Sequence, residues 1–96
     1  MQKKTPVLLI DEDRVEVFVR GKRVHVSPSQ FRILVLLRDS NRTMSRNEIL
    51  KRIHGDVDGQ DEVYLRTVDQ QVARLRRALR VPVIETVTTF GYKFIG

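Results

Sequence analysis

The run from Arg66 to Arg80 constrains this chain more than any other stretch. At about 100° per residue, Val68, Val72, Leu75 and Leu79 fall within one narrow arc of a helix. Such a stripe must be buried, so the rest of the chain has to supply apolar surface for it. On the opposite side Arg66, Gln70, Ala73, Arg74, Arg77 and Arg80 project together, with Arg76 at the flank. Five Arg face a single acid, Asp69, and the stretch carries a net +4. A helix divided in this way suits the major groove of a duplex. Phosphates attract guanidinium groups, and the forks of Arg and Gln match guanine and adenine edges. Gln70, Gln71 and the small Ala73 leave room for close approach. The plainer reading is a solvated surface face, which Arg-rich amphipathic helices often are. The remainder of the chain decides between the two.

With 96 residues the chain is expected to form one domain, residues 1–96, around one modest core. The balance of 18 Lys and Arg against 12 Asp and Glu gives +6, and the isoelectric point is near 10.3, which favours a polyanionic partner. Without Cys there is neither a disulfide framework nor a thiolate zinc site. Runs such as Ile33 to Leu37 are too short to span a bilayer, and Met1 to Pro6 shows no secretory pattern. The expectation is a cytoplasmic protein with no membrane partner.

Val7 to Ile10 reads as an opening strand closed by Asp11, Glu12 and Asp13. Val15 to Val19 alternates, with Val15, Val17 and Val19 on one side of the pleat. Arg20-Gly21-Lys22 turns the chain back, and Val24 and Val26 can pair across the hairpin. Ser27-Pro28-Ser29-Gln30 is a capping box with Pro at the first helical position, opening a mostly buried helix that stops near Asn41. Thr43 and Met44 form a short extended link. Ser45-Arg46-Asn47-Glu48 is a second capping box, for a helix ending at His54-Gly55. An acidic, Gly-containing loop follows, and the Arg-rich helix starts somewhere between Val63 and Thr67. After the break at Val81-Pro82, residues 83 to 87 and 92 to 95 read as a β-hairpin around Thr88-Thr89-Phe90-Gly91. The fold class is α+β: an N-terminal antiparallel sheet, three helices with the basic one last, and a C-terminal hairpin. That is the winged helix-turn-helix arrangement, in which helix 66–80 would enter the major groove and wing 84–95 would lie on the backbone or in the minor groove.

Four ordered motifs carry a further likeness: Ser27-Pro28-Ser29-Gln30-Phe31-Arg32-Ile33-Leu34, Ser45-Arg46-Asn47-Glu48-Ile49-Leu50, the run from Arg66 to Leu79, and Ile84-Glu85-Thr86-Val87 with Gly91-Tyr92-Lys93-Phe94. In this order they resemble the OmpR/PhoB-type effector domain of bacterial two-component response regulators, from about Val15 onward. The resemblance implies a four-stranded N-terminal sheet and sequence-specific binding to double-stranded promoter DNA, often by dimers on direct repeats. It implies base reading by Gln70 and Arg74, and phosphate contact or bracing by Arg66, Thr67, Arg76 and Arg77. Thr86 and Tyr92 fall at wing positions associated with the DNA backbone, and residues 55 to 62, with Asp56, Asp58, Asp61 and Glu62, at the segment that touches RNA polymerase. Gln71 beside Gln70 and Thr88 on the wing complete the expected DNA-binding set.

Three departures stand out. Thr88 occupies the wing position where the family usually carries Arg, and His54 stands where Trp is common, as a smaller plug. No receiver domain is present in this stretch, and Val7 to Asp13 only superficially resembles a receiver's first strand.

Asp69 reads equally as a brace for Arg66 and Arg76 or as a first-turn carboxylate favoured by the helix dipole. The acids between 56 and 62 miss a calcium-loop pattern, since Asp61 occupies the place such a loop gives to Gly. His25 and His54 lack a third ligand at metal spacing and read as structural. Phe90 at the hairpin tip could insert apolar surface toward DNA or a neighbouring protomer, but the expectation is that it folds back onto the core. Neither a catalytic constellation nor a nucleotide fingerprint is present, so no enzymatic activity, no small-molecule substrate and no cofactor are expected. The competing class is a winged-helix protein-interaction module for an acidic partner. An RNA-binding role is the weaker third, because the aromatics look buried.

Overall fold

The computed structural model describes residues 6–55 and 62–96. Three strands open the chain: β1 (Leu8–Asp11), β2 (Glu16–Val19) and β3 (Lys22–Val24) form an antiparallel sheet in that order. Asp11 accepts the Arg14 N–H at 3.1 Å and so closes the first turn. The second turn has two residues, Arg20 and Gly21, with φ of 51° and 82°. Positive φ at both positions matches the twist of the flanking strands, and the register sets Val17 opposite Val24. Val17 is completely buried.

Two expectations are corrected here. Val15 does not join Val17 and Val19 on the buried pleat: it precedes β2 at φ 55° and is exposed, because the turn consumes it. The sheet among the described residues has three strands rather than the four implied by family resemblance, and β3 stops at Val24, short of Val26.

Helix α1 (Pro28–Ser40) and helix α2 (Arg46–His54) begin at the expected capping boxes. Ser27 Oγ accepts the Gln30 N–H at 3.2 Å while Gln30 Oε1 accepts the Ser27 N–H at 3.1 Å. Ser45 and Glu48 repeat the exchange at 3.1 and 3.3 Å. Each box satisfies backbone donors that have no partner inside the helix. Asn41 ends α1 in the left-handed conformation, at φ 50°. Gly55, at φ 75°, ends α2 by donating its N–H to the Lys51 carbonyl. Helix α3 (Glu62–Leu79) starts one residue earlier than the window read from the sequence and ends one residue before Arg80, which turns out of the helix at φ 58°. His54 is exposed rather than plugging the end of α2, and His25 is exposed as well.

The core is where the three helices meet. Ile33, Leu34 and Leu37 of α1 and Ile49 and Leu50 of α2 close over Leu65, Val68, Val72, Leu75 and Leu79 of α3. The stripe read from the sequence is therefore the buried face. Among the described residues no helix is long and apolar enough to cross a membrane.

Strands β4 (Ile84–Val87) and β5 (Gly91–Phe94) form the C-terminal hairpin, with Thr86 opposite Tyr92. Met44, in the extended link ahead of α2, exchanges both backbone hydrogen bonds with Tyr92, at 2.8 and 2.9 Å. The link thus lies against β5 like a short extra strand. Gly91 makes this approach feasible: a Cβ there would stand 1.9 Å from the Met44 carbonyl oxygen, and its φ of 149° is unfavourable for other residues. Gly91→Ala is expected to lower unfolding free energy by about 3 kcal/mol, since the clash is with backbone, as a shift of the urea midpoint.

Candidate nucleic-acid interface

With its apolar stripe locked into the core, α3 presents its other side to solvent. Arg66, Gln70, Ala73, Arg74 and Arg77 are all exposed, as is Arg80 just past the helix end. None of these Arg residues pairs with a carboxylate among the described residues. Cations without partners on a convex helical face hold an unbalanced positive potential, which is what attracts a polyanion.

Arg76, at the flank, is differently used. Its guanidinium donates to the Ile84 carbonyl from Nε at 3.2 Å and from Nη2 at 2.9 Å, and to Thr86 Oγ1 at 2.7 Å. It also lies over the Tyr92 ring, 5.4 Å from the centroid, a favourable cation–π placement. Arg76 therefore fixes the hairpin against α3. Tyr92 is buried, and its hydroxyl donates to Asp69 Oδ1 at 2.7 Å. Asp69 Oδ2 accepts from Arg46 Nη1 at 3.0 Å, and the same nitrogen reaches Glu62 at 3.3 Å. Burial works against the charge of Arg46, but the hydrogen bonds to Glu62 and Asp69 hold its proton more firmly than in an ordinary Arg.

Asp69 is thus neither a first-turn carboxylate nor a support for Arg66. It lies in the interior of an 18-residue helix and joins α2 and β5 to α3. Burial, followed by the bond to Asp69, pushes the Tyr92 phenol up to about 12.

The other sequence-derived residues divide among three situations. Thr67 is half-buried, its hydroxyl donated to the Tyr64 carbonyl at 2.6 Å. Gln71, also half-buried, accepts from Gln30 Nε2 at 3.3 Å, so it faces α1. Thr86 and Thr88 are exposed on the hairpin. Asp56, Asp58 and Asp61 lie outside the described residues, and Glu62 is the first residue of α3. No group of His or acidic side chains among the described residues is arranged to hold a metal. Phe90, expected to fold back onto the core, is instead 70% exposed at the hairpin tip. Sequence reasoning missed Arg46 entirely. Its one available signal was its place in the first turn of a capped helix, which says nothing of a partner in α3.

The family model described as "Transcriptional regulatory protein, C terminal" matches residues 21–94. The transcriptional regulatory protein CseB of Streptomyces coelicolor is 37% identical over 87 residues, covering 90% of this chain and 36% of CseB. SrrA of Staphylococcus aureus is 34% identical over 95 residues, covering 91% of this chain and 38% of SrrA. The chain thus spans little more than a third of these relatives. Among solved structures, the RstA DNA-binding domain of Klebsiella pneumoniae, in complex with the RstA box, superposes with a TM-score of 0.79 at 32% identity, covering 93% of this chain and 91% of that one. The response regulator DrrB of Thermotoga maritima, an OmpR/PhoB homologue, gives 0.80 at 31% identity over 95% of this chain and 42% of DrrB.

The raised Tyr92 value fixes the sign of a pH effect. A phenol that holds its proton more tightly when folded contributes stability that is full below the unfolded value, about 10, and is lost as pH rises through about 12. Denaturation of the wild type is expected to show this loss between those limits, and Tyr92→Phe is expected to lack that component. At neutral pH the same substitution should cost about 1.5–3 kcal/mol for the charge-assisted hydrogen bond.

Proposed function

Because the chain belongs to the OmpR/PhoB-type family of transcriptional regulatory protein C-terminal domains, we propose that it binds double-stranded promoter DNA in a sequence-specific way. The observation that carries this reading is the outward face of α3, where guanidiniums without an acid partner among the described residues stand beside the amide of Gln70. In the proposed complex α3 lies in the major groove. Gln70 and Arg74 read base edges, Arg66 and Arg77 hold phosphates, and the hairpin meets the adjacent backbone or minor groove. Arg76, Asp69 and Tyr92 set the hairpin's position relative to the helix. Thr67 and Gln71, turned toward their own chain, contribute less.

The reading extends to a cytoplasmic regulator without catalytic activity that assembles in pairs on repeated sites. The acidic segment that includes Asp56, Asp58, Asp61 and Glu62 is proposed to meet RNA polymerase. Support for these wider roles is the family alone.

Titration of the domain with fluorescent duplexes at two salt concentrations tests the proposal. Affinity for a duplex selected from a random pool is expected to fall steeply with salt, because several phosphates are neutralised. Arg74→Ala should cost about 1–3 kcal/mol on the selected duplex and relax preference at one base position. Arg77→Ala should weaken selected and random duplexes alike and reduce the salt slope by about one. Equal losses from both variants on both duplexes would refute the assigned division of roles. Salt-insensitive or absent binding would instead favour an interaction module for an acidic protein.

A further inference from the structure

The tip of the hairpin is built from Thr88, Thr89 and Phe90, none of them charged. Thr89 holds φ 67°, a left-handed conformation that β-branched residues seldom adopt, and the Phe90 N–H closes the turn onto the Val87 carbonyl at 2.9 Å. Phe90 at this turn is 70% exposed. The ring is also placed on a particular side. Phe90 borders a recess of about 200 Å³ together with Arg46, Asp69 and Thr86, where the hairpin meets α2 and α3. Since Arg76 binds the Ile84 carbonyl and Thr86, the distance from that tip to the cationic face of α3 is fixed by the fold.

We propose that Phe90 is an apolar wedge which the hairpin presses into the minor groove of the duplex held by α3. The inference rests on the DNA-binding reading above and assigns the wing contact within it. Aromatic and aliphatic side chains at such tips enter between base steps or lie along the groove wall, covering apolar surface otherwise left in water. The groove floor is open over A·T pairs, whereas G·C pairs place an exocyclic amino group there. Without a cation at the tip, the contact adds affinity that does not depend on counterion release.

The test uses the whole chain, a duplex carrying a single selected site, and the variants Phe90→Ala and Phe90→Leu. Phe90→Ala is expected to weaken binding about tenfold at each of two salt concentrations, leaving the salt slope at its wild-type value, with Phe90→Leu in between. Replacing guanine–cytosine by inosine–cytosine pairs under the hairpin removes only the minor-groove amino group; it should strengthen binding of the wild type and leave Phe90→Ala unchanged. Wild-type affinity in Phe90→Ala overturns the wedge. A loss that ignores the inosine exchange places the ring on the outer sugar edge and overturns it too. So does a loss seen only on duplexes with two sites, which assigns the ring to a second copy of the chain. Wild-type protein that binds no duplex removes the DNA-binding reading itself, before any variant is compared.

Discussion

A single carboxylate, Asp69, is where the three parts of the interface meet. Both of its oxygens are used, one by the Tyr92 hydroxyl on β5 and one by the Arg46 guanidinium on α2. With the side chains of Arg46 and Asp69 35% and 39% exposed, the ion pair itself adds little through charge attraction, and the carboxylate acts by fixing geometry. It lies in α3, whose opposite side carries the cations. The helix that meets the duplex in the proposed complex therefore also fixes the two elements beside it. Removing the carboxylate would take the partner from the Tyr92 hydroxyl and leave Arg46 with Glu62, and the hairpin would rest on Arg76, the Met44 bridge and the packing of Ile84, Tyr92 and Phe94 on the core.

The Arg residues of the chain serve two purposes that composition alone does not separate. Arg38, Arg42 and Arg46 are matched with nearby acids: Arg38 with Glu12 and Asp39, Arg42 with Glu48, Arg46 with Glu62 and Asp69. Arg66, Arg74 and Arg77 stand on α3 without such partners among the described residues. Three cations without acid partners among the described residues thus share one helix face. Arg76, in the same run, binds the hairpin, so one residue of displacement around the helix changes an outward-facing cation into a structural one.

Helix boundaries set by local chemistry were legible in the sequence. The two capping boxes involve residues three apart, and both formed where expected, as did the buried stripe of α3. What escaped was set by distant partners or by turn geometry. The sequence ahead of α3 offers several acids but no capping-box spacing, so only a window could be read for its start. Val15 fits an alternating strand by type, but a left-handed turn claims it. The place of Asp69 depends on Tyr92 and Arg46, each 23 residues away in sequence. Phe90 was expected inside because of its hydrophobicity, yet a short tight turn has no core behind its tip. Tyr92 was read as a wing contact from its motif, whereas its burial is decided by the α3 surface beneath it.

The paired bonds between Met44 and Tyr92 join positions nearly half the chain apart and enclose α2 and α3 between them. Contacts of such separation carry a large loop-closure cost and form slowly relative to helix turns and short hairpins. The capped helices are local and can assemble early. The clasp can close only with α2 and α3 folded into the loop it spans, so chain connectivity favours assembly from the helical core outward, with the docking of the hairpin among the later contacts.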